Sequence, residues 1–283
     1  MRWLASIGRR IRGNPTALAG TIVMGVLVVL IVVGPWLIPY SPTRMNYSNL
    51  LKPPSLAHPF GTDSFGRDVF VRVLYGARVS LFCSLTGILL AAVIGTLMGL
   101  LAGYFGRVYE ATLMRLADLL FAFPSFVLAL FLMFVFGFGV LNVVLAIGLV
   151  YLPGFARLAR NMTLLVKEEA YVQAAKVSGQ TPFRIMTREI LPNIAPPLIV
   201  RLSLGFAFGV VIEAGLSFLG LGVQPPTPSL GLIMSDAKEY FQRAPWVLTL
   251  TGLGISVILL GLNLLGDGLR DMMDPRLRRR EEA

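Results

Sequence analysis

Side chains able to do acid–base or ionic chemistry are sparse in this sequence, and three groups stand out by position. Glu213 and Arg201 each interrupt an apolar run at about 194–216. A charge at membrane depth is costly, so such residues are functional candidates by default; a carboxyl there could relay a proton or hold a cation. Twelve residues separate the two, roughly 18 Å along a helix, so they cannot pair directly. Arg201 can also snorkel to the nearer interface. The second group is Asp63, Arg67 and Asp68, in Phe60-Gly-Thr-Asp-Ser-Phe-Gly-Arg-Asp-Val-Phe70, where Gly61 and Gly66 permit turns that gather the charges into an ion-pair cluster. The third is the polar stretch Tyr171–Pro192, whose residues suit docking more than catalysis.

Nucleophilic, metal and phosphate chemistry lack the residues they need. His58 is the only histidine and Cys83 the only cysteine, too few for a zinc or haem site or a disulfide framework. No Gly-Lys dipeptide occurs, so there is no P-loop to hold phosphates. Neither HExxH nor GxSxG is present. The chain is expected to be no enzyme and to need no cofactor or metal.

The elements that must position these residues are membrane helices. Of 283 residues 55% are hydrophobic and only 14% charged, against about 25% charged in soluble domains; the mean hydropathy is +0.74. The net charge of +10 lies at the flanks of apolar runs, not in a patch with aromatics, so nucleic acid is not the expected partner and a lipid bilayer is. Apolar runs near 17–39, 79–103, 116–136, 141–156, 194–216 and 247–265 are each read as a span of ~30 Å of hydrocarbon. The first is too long for a signal peptide. Pro124 is expected to kink the third near Phe123. Gly95 and Gly99 in the second form a small-xxx-small pair that lets helices pack closely in lipid. The expected fold is an all-α polytopic protein with six transmembrane helices in one domain, 17–266. A tail at 1–16, a basic tail at 267–283, external loops at 40–78 and 219–246 and a cytoplasmic loop at 157–193 complete it.

Six spans put both termini on one side, and charge decides which. Seventeen Lys and Arg residues fall on the terminus side and seven on the other, with Arg201 inside a span. The positive-inside rule then places the termini and the 157–193 loop in the cytoplasm.

Within that loop, Lys167–Ser178 has no Gly or Pro and reads as a helix. Gly179 falls where a C-terminus wants a left-handed residue. Thr181 and Pro182 read as the N-cap and first turn of a second helix, which Pro192 ends. Ala170, Ala174 and Ala175 leave the first helix with little bulk, so another protein's surface could approach it closely. The spacing Gln173-Ala174-Ala175, Gly179, Leu191-Pro192 resembles the EAA-x3-G-x9-I-x-L-P loop of permease subunits in ABC importers, with Gln173 replacing the acid and Ile190 displaced by one. Three further stretches resemble one subgroup, the C-type permeases of dipeptide, oligopeptide, nickel and glutathione importers. They are the GTDxxGRD run at 61–68, Glu213-Ala-Gly-Leu-Ser-Phe-Leu-Gly-Leu-Gly-Val-Gln-Pro-Pro226, and Gly266-Asp-Gly-Leu-Arg-Asp271. The subgroup's tryptophan before Gly231 is Leu230 here.

The resemblance implies half of a translocation pathway for peptides or a related small solute in a bacterial inner membrane. It further implies a heterodimer with a second permease, two ATPase subunits and an external solute-binding protein. Coupling to the ATPase would fall on Glu169, Ala170, Gln173, Ala174, Ala175, Gly179 and Pro192. Gly61, Asp63, Arg67, Asp68, Glu213, Gln224 and Pro225 would shape or gate the external face. The alternative from the residues alone is a proton- or ion-coupled secondary transporter, with Glu213 as its ionisable group.

Overall fold

The structure, a computed structural model, describes residues 15–37 and 40–273. Apart from an isolated bridge between Thr62 and Asp68, the regular structure of these residues is helical. In chain order the helices are α1 (Pro15–Leu37), α2 (Val69–Phe105), α3 (Arg107–Phe121), α4 (Ser125–Phe136), α5 (Val140–Val166), α6 (Ala170–Val177), α7 (Pro182–Phe218), α8 (Leu230–Ala237) and α9 (Pro245–Met273).

Small residues decide which helices touch. Gly87, Gly95, Gly99 and Gly103 recur at multiples of four and so share one face of α2. A Cβ on Gly95 would lie 2.7 Å from the Leu152 carbonyl, and one on Gly87 2.8 Å from Ile147. The backbones of α2 and α5 therefore meet directly, which replaces lipid contact with dispersion between helices. Gly87 lies beside Val144 and Ile147, and Gly103 beside Thr163, so the two helices run parallel.

That pairing settles how often the chain crosses. Between the end of α2 and the start of α5 it must return to the end of the bundle where both helices begin. Only α3 and α4 lie between, joined at a 94° bend around Pro124. Their 15 and 12 residues make legs of about 22 and 18 Å, each too short to cross alone. The bent pair is one crossing, and the total is six. The sequence leads one to expect a kink inside a single helix here. The break is complete because α3 is amphipathic, with Ala117 its sole buried residue, whereas α4 is apolar apart from Ser125 and buries Leu128, Ala129, Leu132 and Met133.

The remaining helices alternate. In α7, Gly205 and Gly209 pack on Ile88 and Ser84 of α2, and α9 opposes α1 through Gly20 on Leu265 and Gly268 on Ala17. Both pairs are antiparallel. The described ends of the chain, the α2–α3 corner and α6 therefore share one end of the bundle, here the proximal end. The loops 40–68 and 219–244 form the distal end.

Several helices outrun their apolar stretches. Helix α5 continues through Val166, because residues 157–166 still present Ala159 and Thr163 to the α2 glycines. The expected cytoplasmic loop thus begins only at 167. Helix α9 runs on to Met273 because Gly266 and Gly268 keep packing on Ser203 and Ala17. Residues 1–14, 38–39 and 274–283, including both expected tails in large part, lie outside the described residues.

Candidate functional site

The proximal end is built on α6. Val172 and Ala175 are buried and join the core cluster that contains Ile185 and Ile190 of α7, so α6 is clamped to the bundle by one face. Ala170 and Ala174, four apart on the opposite face, are exposed, as is Glu169 before them. Ala175, expected on the docking face, is instead an anchor, because a 100° step from Ala174 turns it inward. Tyr171, Val177 and Phe183 add exposed apolar surface; Val177 is 90% exposed. The Gln173 amide donates to the Lys167 carbonyl at 2.8 Å, which ties α6 back to the turn after α5.

Gly179 closes α6 with φ +74°. Its N–H donates to the Lys176 carbonyl at 3.0 Å and that of Gln180 to the Ala175 carbonyl at 3.2 Å, the paired bonds of a Schellman cap. Thr181 then accepts from the Arg184 N–H and Pro182 fills the first turn of α7. Pro192 does not end that helix. A π-helical turn over Ile185–Ile190 precedes it, so α-helical register restarts at Leu191 and Pro192 occupies a first-turn position, where a missing N–H leaves nothing unpaired.

The distal end is held by a buried ionic network. Asp63 is 2% exposed and accepts four bonds. Its Oδ1 takes the N–H groups of Phe65 (2.9 Å) and Arg67 (3.0 Å), and its Oδ2 takes Arg67 Nε (2.7 Å) and Arg72 Nη1 (2.9 Å). Arg72 also reaches Asp236 at 3.3 Å, and Arg67 the same carboxylate at 3.6 Å. The expected cluster is therefore corrected. Asp68 does not pair with Arg67; it caps α2 through Val71 N–H at 2.8 Å and binds His58 Nδ1 at 2.7 Å. The strongest unread partner is Arg72, whose only sequence signal is a charge inside Val-Phe-Val-Arg-Val-Leu. Asp236 arrives from 164 positions away and has no local signal. Burial raises the Asp236 carboxyl above its ordinary value, against the pull of Arg67. Burial beside Asp63 and Asp236 likewise raises the Tyr240 hydroxyl.

Gly61 and Gly66 take φ +69°, and a Cβ on Gly61 would press on the Trp246 ring at 2.6 Å. Their freedom brings the 40–68 loop against the start of α9. Glu213 is fully buried and accepts from Ser217 Oγ at 2.7 Å, while that hydroxyl accepts the Val223 N–H at 3.1 Å. The hydroxyls of Ser80 and Ser229 also face it. Glu213 thus joins the end of α7 to the loop that follows; the Schellman bonds from Gly220 and Leu221 end the helix there. Gln224 donates to the carbonyls of Gly220 (3.0 Å) and Gly222 (3.2 Å), and Pro225 is exposed. Leu230, where the subgroup carries tryptophan, is fully buried.

Arg201 is held against α5. It stands over the Phe155 ring at 5.5 Å and against Gly154, where a Cβ would overlap its guanidinium. It lines a cavity of about 770 Å³ between α5, α7 and α9. Glu213 does not line that cavity.

Six crossings, an anchored surface helix at one end and an ionically braced loop layer at the other define a polytopic membrane protein. Residues 95–279 match the family described as binding-protein-dependent transport system inner membrane component, and residues 3–54 match the N-terminal transmembrane domain of oligopeptide transport permease C. The chain belongs to the binding-protein-dependent transport system inner membrane component family. It is 40% identical over 273 residues to the dipeptide transport system permease protein DppC of Alkalihalophilus pseudofirmus, covering 95% of this chain and 89% of that one. It is also 40% identical over 271 residues to the glutathione transport system permease protein GsiD of Escherichia coli, with the same coverage. Among solved structures, the inward-facing MetNI methionine ABC transporter superposes with a TM-score of 0.57 at 18% identity, covering 72% of this chain and 96% of that one; the fold is shared. The chain is accordingly a transport component and not an enzyme.

Proposed function

We propose that the chain is one of two permease subunits in an ATP-driven importer of short peptides, with the proximal end in the cytoplasm and the distal end outside. The observation that carries this is the exposed Ala170–Ala174 face of α6, held by the Gly179 cap; the sequence assigns 17 of its 25 basic residues to the side of that loop. The positive-inside rule makes that end cytoplasmic, where an ATPase subunit could seat against small side chains. The peptide assignment follows the relatives, a dipeptide and a glutathione transport system permease.

The mechanism is a two-state rocking of helices. Movement of an ATPase against α6 is passed on without slack, because Val172 and Ala175 are packed into the core shared with α5 and α7. At the distal end the Asp63–Arg72–Asp236 network joins the 40–68 loop, α2 and α8 into one unit, a firm platform for an external binding protein.

The test is uptake by the whole importer, assembled with a second permease, two ATPases and a binding protein in proteoliposomes. ATP-dependent accumulation of a dipeptide such as dialanine is expected. In cells, with Cys83 replaced by Ser, a cysteine at Ser55 should react with an impermeant thiol reagent and one at Val177 should not. Reaction of Val177→Cys from outside would refute the orientation, and absence of uptake the peptide assignment.

A further inference from the structure

We propose that the cavity between α5, α7 and α9 receives the carboxylate of the transported solute on its way through, with Arg201 as the cationic anchor. This rests on the peptide-permease reading above and names the group that the path recognises. The cavity, about 770 Å³, falls within the range typical of small-molecule sites. Arg201 and Arg270 both line it, among the rings of Tyr151, Phe155 and Phe208. No carboxylate among the described residues lies within ion-pair distance of Arg201, and its Nε is buried without a hydrogen-bond partner.

An unpaired guanidinium inside a membrane bundle is expensive, and a leucine or methionine would pack as well at less cost. The chain instead shapes itself around the charge. Gly154 leaves the notch the guanidinium occupies, and Phe155 supplies a ring face at 5.5 Å. With Nε buried and a ring at 5.5 Å, the Nη groups are the donors left to hold a carboxylate by charge-assisted bonds. A peptide brings such a group at its C-terminus. An acidic lipid headgroup offers the same anion, but the cavity extends along α7 to Gly205 and Phe208. Gly205 packs on Ile88 at the middle of α2, deeper than headgroups reside.

The test uses the assembled importer, nucleotide-free, in nanodiscs of zwitterionic lipid. The complex carries Cys83→Ser and a reporter cysteine at Leu204, one turn from Arg201 along the cavity wall. Dialanine is expected to slow alkylation of that cysteine, and dialanine amide not to. Arg201→Gln should raise the half-protecting concentration at least about tenfold, the value of one lost charge-assisted bond, and Arg201→Lys should recover part of it. Should Arg201→Gln fail to assemble, the comparison of acid and amide in the parent complex decides alone. Equal protection by acid and amide, or none by either, as when the second permease fills the cavity, overturns the proposal. Protection by phosphatidylglycerol nanodiscs without peptide, abolished in Arg201→Gln, assigns the cavity to lipid and also overturns it. If the importer accumulates dialanine while the reporter stays indifferent, this inference falls and the peptide assignment stands; if it accumulates none, that assignment has failed first.

Discussion

Replacing Asp63 by alanine should be the most damaging single change at the distal end. The carboxylate is 2% exposed, and its four bonds join a loop turn to two arginines. Arg72, 3% exposed, would be left with only the longer contact to Asp236 at 3.3 Å. Stranding a buried charge costs about 3–5 kcal/mol, whereas replacing a whole buried pair by apolar groups is often near neutral. Asp63→Ala combined with Arg72→Met should therefore regain part of the loss. The recovery should be incomplete, because the Phe65 and Arg67 N–H groups lose their acceptor in both variants, at about 1–3 kcal/mol each if left dry. Arg67→Ala should cost less, since its side chain is 14% exposed and water can enter. The assay is thermal unfolding of the purified complex, followed by protease cleavage within residues 40–68, for the three single variants and the double. A double variant as unstable as the summed singles would refute the buried-pair account. So would an Asp63→Ala variant no worse than Arg67→Ala.

At Gly179 a Cβ would meet nothing within 4 Å, so the cost of a side chain is backbone strain alone, about 1–2 kcal/mol. Gly179→Val should assemble normally yet lose transport and binding-protein-stimulated ATP hydrolysis, and Gly179→Asn, which tolerates a left-handed conformation, should keep most of both; equal behaviour of the two would remove the cap from the coupling account. Asp236 titrates above its ordinary range because burial disfavours its charge. Folding therefore favours its protonated form, and that contribution is full below the unfolded value and fades as pH rises through the folded one. Protection at 230–240, taken relative to the intrinsic exchange rate at each pH, should accordingly fall as pH rises above the ordinary carboxylate range in the parent, with a flatter profile in Asp236→Asn.

Much of this protein was legible in its residues. Length of apolar run and sparse charge mark six candidate spans without knowledge of which helix touches which, and the α2–α5 pairing then makes the broken third run a single crossing. The Gly179–Thr181–Pro182 punctuation likewise acts within a few residues, and the cap and restart appear where the spacing put them. Helix ends were less legible. Helix α5 outlasts its apolar run because the α2 glycines meet it across the bundle, and α7 passes Pro192 because a π-helical turn within it resets the register.

What only the tertiary structure decided is who partners whom. Asp68 looked like a mate for Arg67 from adjacency, yet a helix start pulls its carboxylate to Val71 and His58. Arg72 and Asp236 meet across 164 positions, and no local pattern encodes such a distance. Ala174 and Ala175 are chemically alike and adjacent, but the helical step exposes one and buries the other. Arg201 read as a charge free to snorkel; the notch at Gly154 and the ring of Phe155 hold it inward. Composition and short-range stereochemistry determine that a chain crosses and where it turns. Close packing of helices far apart in sequence determines which buried charges are neutralised and which one is left facing a cavity.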